Sequence, residues 1–258
     1  MLFYKNRNMK IQYASDLHLE FIRNKAFMKE NPLVPKGDVL LLAGDIVPFA
    51  KMDAHRDFFK YISDHFPVTY WVPDNHEYYG SNIANRQGSF KEGIQPNLHL
   101  VNNHAVTHEG TRFVFSTLWS RISPANELMI EENVSDFHLI KYYGSNFSAS
   151  KFNQLHRQSL AFITAELTAA ASAKTIVVTH HVPTLMNYPP MYKGSSINEA
   201  FATELFDLIE SQGPDAWIYG HHHANVPDFT IGKTQMLTNQ LGYLDYGEHL
   251  FFNPEKTI

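Results

Sequence analysis

The chain has 258 residues, 44% hydrophobic and 18% charged, which excludes an intrinsically disordered polymer and suffices to bury a large core. Its net charge of −5 gives no basic footprint for a nucleic-acid backbone, so nucleic acid is not the expected partner. Without cysteine there can be neither disulfides nor thiolate metal sites, so any metal must be held by the 15 histidines, carboxylates and amides, a donor set that suits Mn, Fe or Zn; a reducing compartment is permitted and the expected location is cytoplasmic.

"MLFYKNRNMK" carries charge but no apolar stretch of signal-peptide type, and "MKIQYASDLHLE" from Met9 reads as a natural start. Residues 1–8 are therefore expected to be an extension outside the core of a single domain spanning 1–258. "KIQYAS" alternates as a strand; "DVLLLAG" and "VTYWV" are short, fully apolar runs of the kind found in a sheet covered on both faces. No run approaches the length of a membrane span. Between the two apolar runs, "MDAHRDFFKYISDHF" places Phe58, Phe59, Ile62 and Phe66 at helical spacing. "LHLV", "HAVTHEG" and "TRFVFSTLW" predict adjacent antiparallel strands. "SASKFNQLHRQSLAFITAELTAAAS" predicts the longest helix, capped by Ser148 or Ser150. "KTIVVTHH" and "DAWIYGHHH" predict strands ending in histidines. The helix "NEAFATELFDLIESQG" between them has Gly213 as its terminator. "QMLTNQLGY" is expected to close a sheet.

Five apolar runs stop, and polar residues able to bind a metal stand at each stop. In open α/β sheets the ligand crevice lies beyond the carboxyl ends of the strands, so the five clusters are expected to meet at one edge. "SDLHLE" sets Asp16 and His18 two apart, on a common face if the segment is extended. "LAGDIV" puts Asp45 directly after Gly44. "PDNHEYY" supplies Asp74, Asn75, His76 and Glu77; its blander reading is a helix cap with Asp74 and Glu77 as a capping box. In "VVTHHVPT", His180 and His181 point to opposite faces, so one ligand is expected rather than two. In "IYGHHHAN", period-two spacing puts His221 and His223 together and His222 away.

The order D-x-H, G-D, N-H-E, H, G-H-x-H over residues 10–225 resembles the calcineurin-like metallophosphoesterase superfamily. The resemblance implies a four-layer α/β/β/α sandwich of two mixed sheets flanked by helices. It also implies a two-metal centre, with Asp16, His18, Asp45 and His223 around one ion. Asn75, His180 and His221 would surround the other, and Asp45 would bridge. His76 would act on the substrate, and Glu77 would support the ligands from behind. The implied activity is hydrolysis of a small phosphomonoester or phosphodiester by hydroxide activated between two metals.

One position departs from the family pattern: Asp74 stands where relatives carry glycine. A left-handed backbone there would be strained for aspartate, and its carboxylate would add an acceptor near the site. A nuclease and a non-catalytic scaffold are the competing readings. Tyr78, Tyr79, Tyr188 and Tyr192 are the candidate aromatics for a substrate wall, against the blander reading of packing residues.

Overall fold

Apolar runs of four or five residues can be buried on both faces only between two further layers, and that is where the strands lie. The structure, a computed structural model, describes residues 9–169 and 174–258. The expected extension at 1–8 and the expected end of the long helix at 170–172 fall outside the described residues.

The first sheet contains β1 (Ile11–Ala14), β2 (Val39–Ala43), β3 (Val68–Val72), β4 (Phe90–Gln95) and β5 (Leu98–Asn102), in the order β1-β2-β3-β5-β4. All its pairs are parallel except β4–β5. The second sheet contains β6 (His104–His108) and β7 (Thr111–Phe115). After a short hairpin of β8 (Lys141–Tyr142) and β9 (Ser145–Asn146), it continues with β10 (Lys174–Val178), β11 (Ala216–Ile218), β12 (Phe229–Ile231) and β13 (Thr234–Leu237). Its order is β12-β13-β11-β10-β7-β6, with antiparallel strands at both edges.

Alternation along the strands sorts the side chains into layers. Val39, Leu41 and Ala43 face the second sheet and pack with Phe113, Phe115, Ile176, Val178 and Ile218. Leu40, Leu42 and Trp71 face outward onto α1 (Ile22–Glu30) and α2 (Arg56–His65) through Met28, Phe59 and Ile62. On the opposite side, Val114, Val177, Trp217 and Met236 pack beneath Ile163, Leu167 and Ile209. These last three residues belong to α6 (Ala149–Ala169) and α7 (Phe206–Gln212). The result is the expected four-layer α/β/β/α sandwich of two mixed sheets. The short helices α3 (Asn75–Tyr78), α4 (Glu127–Asn133) and α5 (Asp136–Leu139) lie between the sheets' loops, packed with α6 around Trp119 and Phe137.

Several local expectations change. "LHLV" is not antiparallel to its successor: β5 pairs parallel with β3, and the chain crosses to the second sheet at Asn103, whose φ of 43° redirects it. The helix expected over 198–213 is broken into a 3-10 turn at Asn198–Ala200 and α7. There the backbone of 201–205 is spent on the loop after His181, with Thr203 N–H donating to the Val182 carbonyl at 2.9 Å and Leu205 N–H to Pro183 at 2.9 Å. Gly213 does terminate α7, in the left-handed conformation (φ 53°). Ser148 is the cap of α6, accepting from Lys151 N–H at 3.3 Å. β13 lies inside its sheet, and β12 closes the edge.

Ile163 is fully buried where α6 meets the second sheet. Ile163→Ala should lower stability by ~2–5 kcal/mol in urea unfolding. Lys60→Ala, which removes only an exposed pair with Asp64, should leave the midpoint nearly unchanged.

Candidate metal centre

The parallel strands of both sheets end at one edge, and the five clusters sit there. Backbone bonds lace the loops together. Asp16 N–H donates to the Gly44 carbonyl at 3.0 Å, His18 N–H to Asp45 at 2.9 Å, and Gly220 N–H to His180 at 3.0 Å. Side chains add to this: His221 N–H donates to Asp16 Oδ1 at 3.0 Å and His76 N–H to Asp45 Oδ1 at 3.2 Å.

Two four-residue groups of ligand atoms form, each within a 4.8 Å span: Asp16, His18, Asp45 and His223, and then Asp45, Asp74, His180 and His221; a third, smaller group of His18, Glu20 and His76 adjoins them. Asp45 belongs to both four-residue groups. Its Oδ2 lies 3.6 Å from His18 Nε2 and 3.4 Å from His180 Nε2, between the two groups. In the first group His18 Nε2 and His223 Nε2 converge to 2.9 Å, and in the second His180 Nε2 and His221 Nδ1 converge to 3.1 Å. Asn75 lines the same cavity as Asp45 and His221. Its amide nitrogen donates to Asp136 at 2.7 Å, and its Oδ1 is buried without a hydrogen-bond partner.

The ligand-bearing segments are not extended. Asp16 (φ 56°), His18 (46°), Asp45 (56°), His221 (79°) and His223 (51°) all occupy the left-handed region, where non-glycine residues carry ~1–3 kcal/mol of strain each. Period-two spacing therefore paired Asp16 with His18 correctly but for the wrong reason. It also placed His221 with His223, whereas the fold sends them to different groups. Asp74, by contrast, is extended (φ −139°), so the strain expected at this position does not exist. Two glycines are required by close approach. A Cβ on Gly44 would lie 2.2 Å from His180 Nδ1, and one on Gly220 would lie 2.6 Å from Asp16 Oδ2.

Residues 9–225 match the family described as calcineurin-like phosphoesterase. The chain belongs to that family. It is 34% identical, over 95% of its own length and 94% of the other's, to an uncharacterized protein of Acanthamoeba polyphaga mimivirus. Among solved structures it resembles a phosphopantetheinyl hydrolase from Mycobacterium tuberculosis, with a TM-score of 0.69, 16% identity, and coverage of 96% of this chain and 95% of the other. It also resembles a dimetal phosphatase from Danio rerio, with a TM-score of 0.50, 14% identity, and coverage of 95% and 89%. The chain is thus a metal-dependent phosphoesterase of a binuclear family.

The donor set of the phosphoesterase fits divalent or trivalent ions. Imidazoles and carboxylates suit Mn, Fe or Zn, and the orphaned Asn75 oxygen suits the same ions. Neither group includes a lysine or arginine. Burial alone would raise the carboxyl pKa of Asp45, but His180 and the other imidazoles outweigh it and hold it well below the usual range. Conversely, Asp74, Asp45 and Asp16 overcome burial and raise His180. Positive charge is favoured where these side chains meet.

The far nitrogens of His180, His223 and His18 are also anchored, whereas His221 Nε2 is buried without a hydrogen-bond partner. His180 Nδ1 donates to the Ala43 carbonyl at 2.6 Å, which directs Nε2 inward. His223 Nδ1 pairs with Glu248 at 2.8 Å, and His18 Nδ1 with Glu20 at 3.3 Å. Glu20 also holds His76 Nδ1 at 2.8 Å. Burial would raise Glu20, yet the hydrogen bonds from His18 and His76 bring it down to about 2. Glu77 is fully buried and accepts from the backbone of Asp45, Ile46 and Asp74 and from Trp71 Nε1, bracing the second and third motifs against each other.

Glu20, Glu248 and Asp136 are contributors that sequence reasoning missed. Glu20 stands inside the quoted "SDLHLE", two residues beyond His18, and could have been found there. Asp136 opens the four-residue helix α5 and Glu248 the 3-10 turn Glu248–Phe251, elements too short to show a periodic pattern. Of the four candidate tyrosines, Tyr79, Tyr188 and Tyr192 line the cavity, while Tyr78 is core, bonded to the Arg86 carbonyl at 2.6 Å.

Glu248→Ala should weaken binding of one ion by ~10–100-fold in Mn²⁺ titrations of chelator-stripped protein, because His223 loses its orienting carboxylate.

Proposed function

We propose that the chain hydrolyses small organic phosphoesters, mono- or diesters, at a pair of metal ions held by Asp16, His18, Asp45, Asn75, His180, His221 and His223. The observation that carries this is the sharing of Asp45 by two adjacent groups of ligand atoms. Bound there, a cation pair supplies Lewis acidity toward the phosphate oxygens and lowers the pKa of water.

The chain's own residues do the rest. His76 stands beside the two groups, its ring 4.4 Å from that of His18, and lines the cavity. Glu20 fixes Nδ1, so the opposite nitrogen, 3.2 Å from the Tyr243 hydroxyl, is presented to the cavity. Burial lowers the pKa of this imidazole, but the charges of Asp45, Glu20 and Asp136 outweigh burial and raise it. A protonated His76 is suited to deliver a proton to the departing alkoxide, help typically worth ~10²–10⁴-fold. The Tyr79 ring lies 4.2 Å from the same ring, tilted 34° to it.

The cavity measures about 790 Å³, room for an organic substituent beside the phosphate. Tyr79, Tyr188, Tyr192, Ile197, Phe201 and Tyr243 give it an apolar wall, and Lys51 is the one lysine or arginine among its described lining residues. Such a lining favours a substrate with a single phosphate and an apolar or aromatic remainder over a polyanion. A phosphopantetheinyl ester, the type named for the M. tuberculosis structure, is one member of that class to screen.

Activity on p-nitrophenyl phosphate and bis(p-nitrophenyl) phosphate should require Mn²⁺ or a similar ion, vanish with chelator and return on re-addition. The ratio of the two rates separates monoesterase from diesterase. His76→Ala should lower kcat by ~10²–10⁴-fold while keeping its bound metal. Full turnover by the chelated protein, or by His76→Ala, would refute the reading.

A further inference from the structure

We propose that Asp74 is itself a metal ligand in this chain, through Oδ2, and that His181 holds its other oxygen. The inference rests on the binuclear reading above and extends it to a residue outside the seven ligands that reading uses. Asp74 is fully buried, and neither carboxylate oxygen makes a hydrogen bond. The capping-box arrangement with Glu77 does not satisfy it. Glu77 accepts from Asp74 N–H at 2.7 Å, and its own N–H closes the capping box on the Asp74 side chain only outside hydrogen-bond geometry, so both carboxylate oxygens remain without a hydrogen bond. A buried, unbonded carboxylate is costly, and a nearby cation is the direct remedy.

The direction of the side chain indicates which cation. Oδ2 lies 3.4 Å from His180 Nε2 and 3.7 Å from His221 Nδ1, the two nitrogens that converge in the second group. Asp74, Asp45, His180 and His221 offer ligand atoms within one 4.8 Å span. Oδ1 points the other way, 3.4 Å from His181 Nε2. His181 is fully buried, with Nδ1 3.2 Å from Ser120 Oγ and Nε2 lacking a hydrogen-bond partner. The two orphaned groups face each other. A small inward movement of Asp74 would let Oδ2 bind the ion while His181 donates to Oδ1, the usual arrangement behind a ligating carboxylate.

The extra carboxylate gives the second site one more negative charge than the seven proposed ligands alone. That site should bind its ion more tightly and depend on Asp74 to do so. The test uses the full-length protein stripped of metal and titrated with Mn²⁺, with free Mn²⁺ followed by electron paramagnetic resonance and bound metal by elemental analysis. Wild type should bind two ions. The near-isosteric Asp74→Asn, and Asp74→Gly, should still bind one ion normally and the other ~10-fold or more weakly, and His181→Phe should weaken the same ion to a lesser degree. Thermal melts supply a second readout. Asp74→Asn should gain less in melting temperature than wild type on adding Mn²⁺. Two ions bound by Asp74→Asn with wild-type affinities would overturn this inference alone. Fewer than two ions bound by wild type would overturn the binuclear reading and this inference with it.

Discussion

The structure turns on buried negative charge gathered among imidazoles. Asp16, Asp45 and Asp74 are removed from water at the meeting edge of two sheets, and the groups around them are imidazoles rather than lysine or arginine. Carboxylates in that setting need a counter-charge, and imidazoles that already direct one nitrogen inward leave room for metal ions as that charge. The strain in five left-handed ligand residues is intelligible on the same terms. The loops hold these conformations through a dense set of backbone bonds.

The sandwich makes this possible by packing two sheets face to face with their parallel strands ending at the same edge. Each sheet supplies part of each group. Asp16, His18 and Asp45 come from loops after β1 and β2, while His180, His221 and His223 come from loops after β10 and β11. Asp45 lies at the seam and can serve both ions. Glu77 ties the loop carrying Asp45 to the helix carrying Asn75 and His76. Gly44 and Gly220 leave the space that lets backbone press against His180 and Asp16.

The two halves of the proposed chemistry are separated in the same way. The buried ligand groups fix the ions, and the partly open side carries His76 and the aromatic wall. Glu20 links the two, since one carboxylate orients both His18, a proposed ligand, and His76, the proposed proton donor. The cavity's apolar lining and single lysine make the phosphate itself the main charged feature a substrate would present there.

Much of this was legible along the chain. Short apolar runs ending in Asp, His and Asn marked the strand ends, because a doubly covered strand tolerates polar side chains only where it leaves the sheet. The fully apolar run "DVLLLAG" foretold a strand covered on both faces, and the spacing of Phe59 and Ile62 a helix packed against it. What the sequence by itself determined was the stock of ligands and their place at the sheet edge. The tertiary structure alone decided which imidazole nitrogen faces inward, which histidines share an ion, and whether Asp74 points toward the metals. Those outcomes depend on contacts between residues far apart in sequence, such as His221 N–H on Asp16, and on left-handed turns that no local periodicity encodes.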